Sequence, residues 1–508
     1  MVFIRRLPTI VVGLSLFAVP TVLAQQTTPQ SANDSLIKSG EYLARAGDCF
    51  SCHTQTGGTP MAGGRQVPTP YGGIASPNIT PDPETGIGKW SDNDFYRLLH
   101  DGIEPDGSYV YPVMPFDHYT RVSRDDALAI KAFLFSLPPA HAPRQSSHLE
   151  FPFDIRASLA AWRALFFTPS TFEANAALSA KANRGAYLVE GLGHCGACHT
   201  PRNILSGSKQ SQALGGGEIT GQGWFAPNIS SDIGQGVGGW TEQDLVDYMK
   251  TGVAPDKAIV AGPMAEVIHT SLHYLSDEDL HAIATYLKLA PAKELYSAKR
   301  PAALAGATSY LNYCASCHQP DGKGIEHAVP SLVGNGVVIA GGPQDVIRTI
   351  LGGMPANGDF AAMPGFATML TSADIAEIAN YIRASWGNAA PPNATATMAE
   401  NLSKQTTTML AGTAACTPVQ PQSVADAISA QHIDRALQQI DADNMLEQID
   451  IIVPKLKSVP LAQADLLNGL ISAYCPIAMS STAAPPQQRL QLLQRFSTLV
   501  YSQLATRR

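Results

Sequence analysis

Three pentapeptides concentrate the reactive side chains of this chain: Cys49-Phe50-Ser51-Cys52-His53, Cys195-Gly196-Ala197-Cys198-His199 and Cys314-Ala315-Ser316-Cys317-His318. Two thiols at this spacing can form thioethers with the vinyl groups of a haem, and the following histidine can ligate its iron. The 508 residues include only 8 cysteines and 13 histidines. Chance would supply about 0.003 copies of the pattern. A zinc tetrad would need two of the pairs to meet in the fold. A thioredoxin-like dithiol would sit near a βαβ pattern, which the chain does not show. Three covalently bound haems c, and with them the transfer of single electrons, are the expectation.

An iron held by histidine on one face has a sixth position, and its occupant separates electron transfer from bond chemistry. A thioether sulfur there stabilises the ferrous state and blocks substrate; an open position admits peroxide or oxygen. Met114 in Tyr111-Pro112-Val113-Met114-Pro115, Met264 in Gly262-Pro263-Met264 and Met363 in Met363-Pro364-Gly365-Phe366 recur at equivalent places, each beside a proline that stiffens its loop. They are the candidate distal ligands. Met249, Met354 and Met369 are the rivals, read as core or loop residues. His118, His269, His273 and His281 would be needed for bis-histidine sites and are read as surface or packing residues.

The elements that must position these groups repeat. Pro77-Asn78-Ile79-Thr80 returns as Pro227-Asn228-Ile229-Ser230, Trp90 as Trp240 and Met114 as Met264, all at an offset of 150 residues. A helix with a glycine and a tyrosine precedes each motif: Gly40 and Tyr42, Gly185 and Tyr187, Gly306 and Tyr310. A closing helix follows, opened by Ser123, Ser276 or Thr371 with an acid three residues on, close to a capping box. Its apolar stripe (Ala127, Ile130, Phe133, Leu134 in the first unit) should pack on the helix before the motif. The tyrosines read mostly as core residues of that contact. Trp90 and Trp240 could donate to a haem propionate or sit half-buried in a core. Asn78 and Asn228 could orient a propionate or simply make turns. Pro138-Pro139, Pro291 and Pro391-Pro392 close the units.

Arg5, Arg6 and the apolar run Leu7–Val19, with Val22-Leu23-Ala24 before Gln25, read as a secretory signal over residues 1–24. The run is short for a membrane anchor, and no later stretch is long and apolar enough to span a bilayer. An exported chain agrees with haem attachment outside the cytoplasm. The net charge of −8 becomes −10 without the signal, which argues against nucleic acid as a partner. Charged residues make up 15%, below the usual quarter, leaving the weakly polar surface of a complex subunit. Gly215-Gly216-Gly217 lacks the strand–turn–helix context of a phosphate loop.

With these residues in hand, the chain resembles the triheme cytochrome c subunit of membrane-bound bacterial dehydrogenases acting on alcohol, gluconate, sorbitol, fructose or aldehydes. The resemblance runs from about Ser35 to Pro392. It rests on Gly40-Glu41-Tyr42-Leu43-Ala44-Arg45, Asn78-Ile79-Thr80-Pro81-Asp82-Pro83, Arg184-Gly185-Ala186-Tyr187-Leu188-Val189, His199-Thr200-Pro201-Arg202, Met363-Pro364-Gly365-Phe366 and Trp386-Gly387-Asn388, together with the three motifs. It implies a mainly α fold: three tandem class I cytochrome c domains at 25–168, 169–295 and 296–392, then a helical extension at 393–508. It also implies proximal ligands His53, His199 and His318, and distal ligands Met114, Met264 and Met363. The subunit would take electrons from a quinone-, flavin- or molybdenum-dependent catalytic subunit and pass them to ubiquinone, on the periplasmic side of the cell membrane.

The last hundred or so residues depart from that pattern. Cys416 and Cys475 are expected to pair in an oxidising compartment. Leu490, Leu493, Phe496, Val500 and Leu504 form an apolar stripe on the last helix, with Arg489, Arg495, Arg507 and Arg508 nearby. The stripe suits packing on its own small domain, an anionic membrane surface or a partner subunit. Ser158 to Phe167 could be an interdomain wedge or a face toward membrane or quinone. Against the relay subunit stand a peroxidase-like multihaem enzyme, which would lack one distal ligand, and a free periplasmic carrier, which would need no partner.

Overall fold

The computed structural model describes residues 29–505 apart from 220, 295, 297–304, 359, 407–415, 417–421, 457–458, 462 and 481–485. The candidate signal, Arg507 and Arg508 therefore lie outside the described residues. The fold is mainly α, with short two- and three-stranded ribbons between helices. Among the described residues, no helix is long and apolar enough to cross a membrane.

The first haem-motif region is built from α1 (Pro29–Ala46), α2 (Cys49–His53), the hairpin β1 (Gln66–Thr69) and β2 (Gly72–Ala75), α3 (Asp92–Asp101), α4 (Phe116–Tyr119) and α5 (Arg124–Ser136). A short β3 (His148–Leu149) adds to β2, and α6 (Leu159–Phe166) leads into the second region. That region runs α7 (Ala180–Ala186), a π turn (Tyr187–Leu192), α8 (Gly196–His199), the hairpin β4 (Gly217–Ile219) and β5 (Trp224–Ala226), and α9 (Glu242–Thr251). The pair β6 (Val253–Ala254) and β7 (Ala258–Ile259), α10 (Pro263–Thr270) and α11 (Asp277–Leu289) complete it. The third has α12 (Ala307–Tyr313), α13 (Ala315–His318), α14 (Gln344–Gly352), paired β8 (Gly353–Met354) and β9 (Met363–Pro364), α15 (Ser372–Ala384) and α16 (Ala396–Ser403). Helices α17 (Gln422–Ala430), α18 (Ile433–Gln438), α19 (Met445–Leu456), α20 (Gln463–Ser480) and α21 (Pro486–Ala505) form a C-terminal bundle.

In each haem-motif region the helix before the motif crosses the closing helix: α1 on α5, α7 on α11, α12 on α15. Glycine makes the crossings close. A Cβ on Gly40 would stand 1.9 Å from the Ala129 carbonyl oxygen, and one on Gly185 would stand 1.9 Å from that of Ala282. The apolar stripes of all three closing helices are buried as their spacing requires.

Burial is organised in three cores. One runs continuously from Leu43 to Ala290 and joins the first two regions. A second covers Tyr310 to Leu402, and a third fills the C-terminal bundle from Val424 to Leu504. In that bundle Tyr474 stacks on Phe496 at 4.2 Å. Cys416 and Cys475 are joined by a disulfide, with Cα atoms 5.6 Å apart. Leu493, Phe496, Val500 and Leu504 are buried inside the bundle, and Arg489 and Arg495 donate to its backbone at Met479 and Ala442. These four residues of the stripe are thus packed in the bundle's own small core.

Candidate functional site

Each motif histidine ends a single helical turn, and its side chain is held the same way. Nδ1 of His53 lies 2.9 Å from the Pro77 carbonyl oxygen, Nδ1 of His199 2.7 Å from that of Pro227 and Nδ1 of His318 3.2 Å from that of Pro330. A carbonyl only accepts, so each Nδ1 carries the proton and each Nε2 keeps its lone pair. Burial holds all three imidazoles below the usual range, His318 at about 4, so they are neutral at neutral pH. A neutral imidazole donating from Nδ1 to a backbone carbonyl is what an Nε2 metal ligand requires.

The loop around each histidine repeats to the level of single hydrogen bonds. The His53, His199 and His318 carbonyls accept from the N–H groups of Gly63, Gly216 and Gly324 at 2.8, 2.8 and 3.0 Å. Two residues earlier, the carbonyls of Met61, Leu214 and Gly322 accept from Ile79, Ile229 and Leu332 at 2.9, 2.9 and 2.8 Å. The three glycines have φ of +74°, +90° and +68°, which a side chain would strain. Sequence reasoning found Pro77 and Pro227 but missed Pro330. Its signal was present in Pro330-Ser331-Leu332, the counterpart of Pro77-Asn78-Ile79, hidden by the shorter third loop.

None of the six motif cysteines is in a disulfide. Burial pushes Cys49, Cys195 and Cys314 up to about 12 and Cys52 up to about 11. Thiols so protonated are poor nucleophiles for disulfide exchange. Among the described residues, no group of three or more His, Cys, Asp or Glu is placed to hold a bare metal ion. The donor set of each motif, two thiols and a neutral imidazole with Nδ1 engaged, therefore fits a covalently attached haem and not a zinc tetrad.

The candidate distal methionines lie in three different local settings. Met114 follows Tyr111 in a tight turn and is half-buried against the joint core. Met264 sits in the first turn of α10, behind Gly262 and Pro263. Met363 starts β9, faces Met354 across the strand pair and packs on the third core with Met369. Met249 is a buried core residue. Nδ1 of His118 meets the Glu190 carbonyl at 3.1 Å and Nδ1 of His273 that of Lys250 at 3.0 Å, and Nε2 of His118 is buried with no hydrogen-bond partner among the described residues. The Asn78 and Asn228 amides are engaged with nearby turn and linker backbone, including the N–H groups of Thr80 and Ser230, so these residues make turns. Trp90 and Trp240 are half-buried against the joint core.

The tyrosines before the first two motifs behave otherwise than their helical spacing suggests. Tyr42 donates to Asp279 at 2.6 Å and accepts from the backbone N–H of Ser276 at 3.3 Å. Reciprocally, Tyr187 donates to Asp126 and accepts from the N–H of Ser123 at 3.2 Å. Each thus reaches the closing helix of the other region. The effect shows in the caps. In α15 the acid at the third position, Asp374, turns back to the Thr371 N–H and closes a capping box. In α5 and α11 the corresponding acids face the tyrosine instead, and its oxygen receives the cap N–H. Tyr310 has no such partner and donates to the Gln319 carbonyl within its own region.

The same reciprocity places the candidate distal segments. Helix α10, which carries Met264, lies against α2 of the first motif, tied by the Arg65–Glu266 ion pair and by Thr270 Oγ1 donating to Asp48 at 2.8 Å. Helix α4, just after Met114, lies against the π turn before the second motif. The stretch Ser158–Phe167 is a wedge across the pair: Trp162 donates to the Leu205 carbonyl at 2.9 Å and packs on Phe116, while Leu165 remains exposed. The third region joins the second through α14. Asp345 accepts from the Phe225 N–H at 2.8 Å, and Arg348 donates to the carbonyls of Gly223 and Gln222 at 2.7 and 2.8 Å.

Residues 301–382 match the family described as cytochrome C oxidase, cbb3-type, subunit III. The chain is 37% identical over 402 residues to the cytochrome c subunit of the alcohol dehydrogenase (quinone) of Gluconacetobacter polyoxogenes, covering 74% of this chain and 85% of that one. It is 40% identical over 413 residues to the fructose dehydrogenase cytochrome subunit of Gluconobacter japonicus, covering 74% and 84%. It is 38% identical over 403 residues to the gluconate 2-dehydrogenase cytochrome c subunit of Pantoea cypripedii, covering 74% and 91%. With three Cys-x-x-Cys-His motifs set in a recurring loop frame and likeness along most of its length, the chain belongs to the family of cytochrome c subunits of alcohol, fructose and gluconate dehydrogenases.

Proposed function

We propose that the chain is a non-catalytic relay subunit carrying three covalent haems c, in domains at 25–168, 169–295 and 296–392, behind a signal peptide at 1–24. Cys49 and Cys52, Cys195 and Cys198, and Cys314 and Cys317 would form the thioethers. His53, His199 and His318 would ligate the irons from the proximal side, and Met114, Met264 and Met363 from the distal side. When bound, each haem supplies a one-electron ferric–ferrous couple. The protein fixes the tautomer of each proximal imidazole through a proline carbonyl and closes the loop beneath it through a glycine N–H. The threefold recurrence of that frame is the observation that carries the reading.

Electrons would come from a periplasmic dehydrogenase whose cofactor is a quinone, a flavin or molybdenum, and leave to ubiquinone at the membrane. The names of the relatives support the partner class. The packing of α10 on α2 and of α4 on the π turn supports direct passage between the first two haems, because each candidate distal segment lies beside the other region's motif.

The test is made on the exported chain. Mass and haem absorbance should show three haems, and Met-to-iron absorption should match that number. Replacing Met114, Met264 and Met363 singly should each remove one third of it. Fewer than three haems, or a high-spin haem that binds carbon monoxide in the native protein, would overturn the relay reading in favour of an enzyme. Failure to copurify with a dehydrogenase would point to a free carrier.

A further inference from the structure

The three attachment helices are not equally open. Cys198 of the second motif is exposed, and Cys49, Cys52, Cys195 and, in the third motif, Cys317 are partly so. In the third motif Cys314, Ala315 and His318 are 7%, 8% and 9% exposed. Helix α21, the last of the C-terminal bundle, packs directly on α13, which carries Cys317 and His318. Ile325, in the loop that follows the motif, is partly buried and packs against the bundle's core. The bundle is a packed unit. Its core is continuous, and the Cys416–Cys475 disulfide bridges its first segment to α20.

We propose that the C-terminal bundle is a built-in screen over the third haem-attachment edge. It closes that edge to redox proteins and small oxidants, so that the chain exchanges electrons with its surroundings through the first two motifs, chiefly past Cys198. This rests on the reading that Cys314–His318 holds a haem. Electron tunnelling falls steeply with the gap, so a helix laid on the attachment side is enough to make one site internal. The third site would then fill and empty only through its neighbour, across the contact that Asp345 and Arg348 make with residues 222–225.

The experiment uses the full holoprotein and the variant Ile325→Asp, which puts a charge where the loop enters the bundle core. The haem count is taken first: fewer than three haems in the unaltered protein refutes the haem assignment itself, whatever the screen does. The reduced protein is then mixed with rising concentrations of ferricyanide. In the unaltered chain two thirds of the oxidation should speed up in proportion to oxidant, and one third should reach a plateau set by internal transfer. In Ile325→Asp the plateau should vanish and all three should follow the oxidant. Amide hydrogen exchange over residues 313–318 should rise at least tenfold in the variant and stay unchanged over 49–53 and 195–199. Three concentration-dependent phases in the unaltered protein would overturn the proposal. So would a plateau that survives while exchange shows the bundle released, or exchange at 313–318 that ignores the substitution.

Discussion

Gly63→Ala tests the proximal frame. Gly63 sits at φ +74°, and a Cβ there would lie 2.4 Å from the Pro77 carbonyl carbon and 2.5 Å from its oxygen. That oxygen is the acceptor for His53 Nδ1. The left-handed backbone costs an alanine about 1–2 kcal/mol, and relieving the collision costs about 1–3 kcal/mol more, so a loss of roughly 2–5 kcal/mol is expected. Relief must push the Pro77 carbonyl away from the imidazole. A weaker acceptor makes the ring a poorer donor to iron, which withdraws support from the ferric state first. Losing a hydrogen bond with a net worth of about 1 kcal/mol corresponds to roughly 40 mV in a one-electron couple. Spectroelectrochemical titration should therefore show one of the three midpoints rising by tens of millivolts. Gly216→Ala, whose Cβ would stand 2.9 Å from the Pro227 carbonyl carbon, should move a different one. Gly73→Ala is the control, because its Cβ meets only the end of the Gln66 side chain at 3.1 Å. Stability lost in Gly63→Ala with all three midpoints unmoved would refute the claim that this carbonyl tunes the site.

Other expectations follow from contacts between regions. Tyr42→Phe and Tyr187→Phe should each cost about 1–2 kcal/mol in denaturant unfolding, with costs that are not strictly additive because Arg184 pairs with Asp279, the partner of Tyr42, and lies over the Tyr187 ring; a loss under about 0.5 kcal/mol from both together would show that the reciprocal bonds contribute nothing. Burial pushes Asp345 up to about 7. Its folded value stands above the unfolded one, so its contribution to stability is full below about pH 4 and is lost as the pH rises through 7. Denaturation measured from pH 4 to 8 should show that loss in the unaltered chain and a flatter profile in Asp345→Asn, whose amide oxygen can still accept from Phe225; equal slopes would remove Asp345 as the cause. Cys416→Ser with Cys475→Ser opens a loop spanning 59 residues and should destabilise the C-terminal bundle by about 4 kcal/mol in the chain-entropy model, read as early proteolysis of 422–505 with the haem absorption intact.

Much of the candidate site was legible because its determinants are local. The proposed thioether cysteines and histidine of each motif lie within five residues, so Cys49–His53, Cys195–His199 and Cys314–His318 could be singled out without the fold. The closing helices were equally plain, since an N-cap and a 3.6-residue stripe are properties of one segment. What periodicity cannot state is which surface a buried face meets. Tyr42 and Tyr187 occupy positions that suit packing within their own region, yet their hydroxyls complete caps in the other. Pro330 escaped notice because the shorter third loop hides its correspondence to Pro77 and Pro227. The stripe of α21 announced burial without saying that the helix would also lie on the third motif. Sequence by itself determined what each segment carries and how it coils, because those follow from bonding within a few residues. Only the tertiary structure decided that two regions share one core and that a terminal bundle covers the third attachment helix. Those outcomes depend on shape and polar matching between surfaces hundreds of residues apart, and no single stretch of chain encodes them.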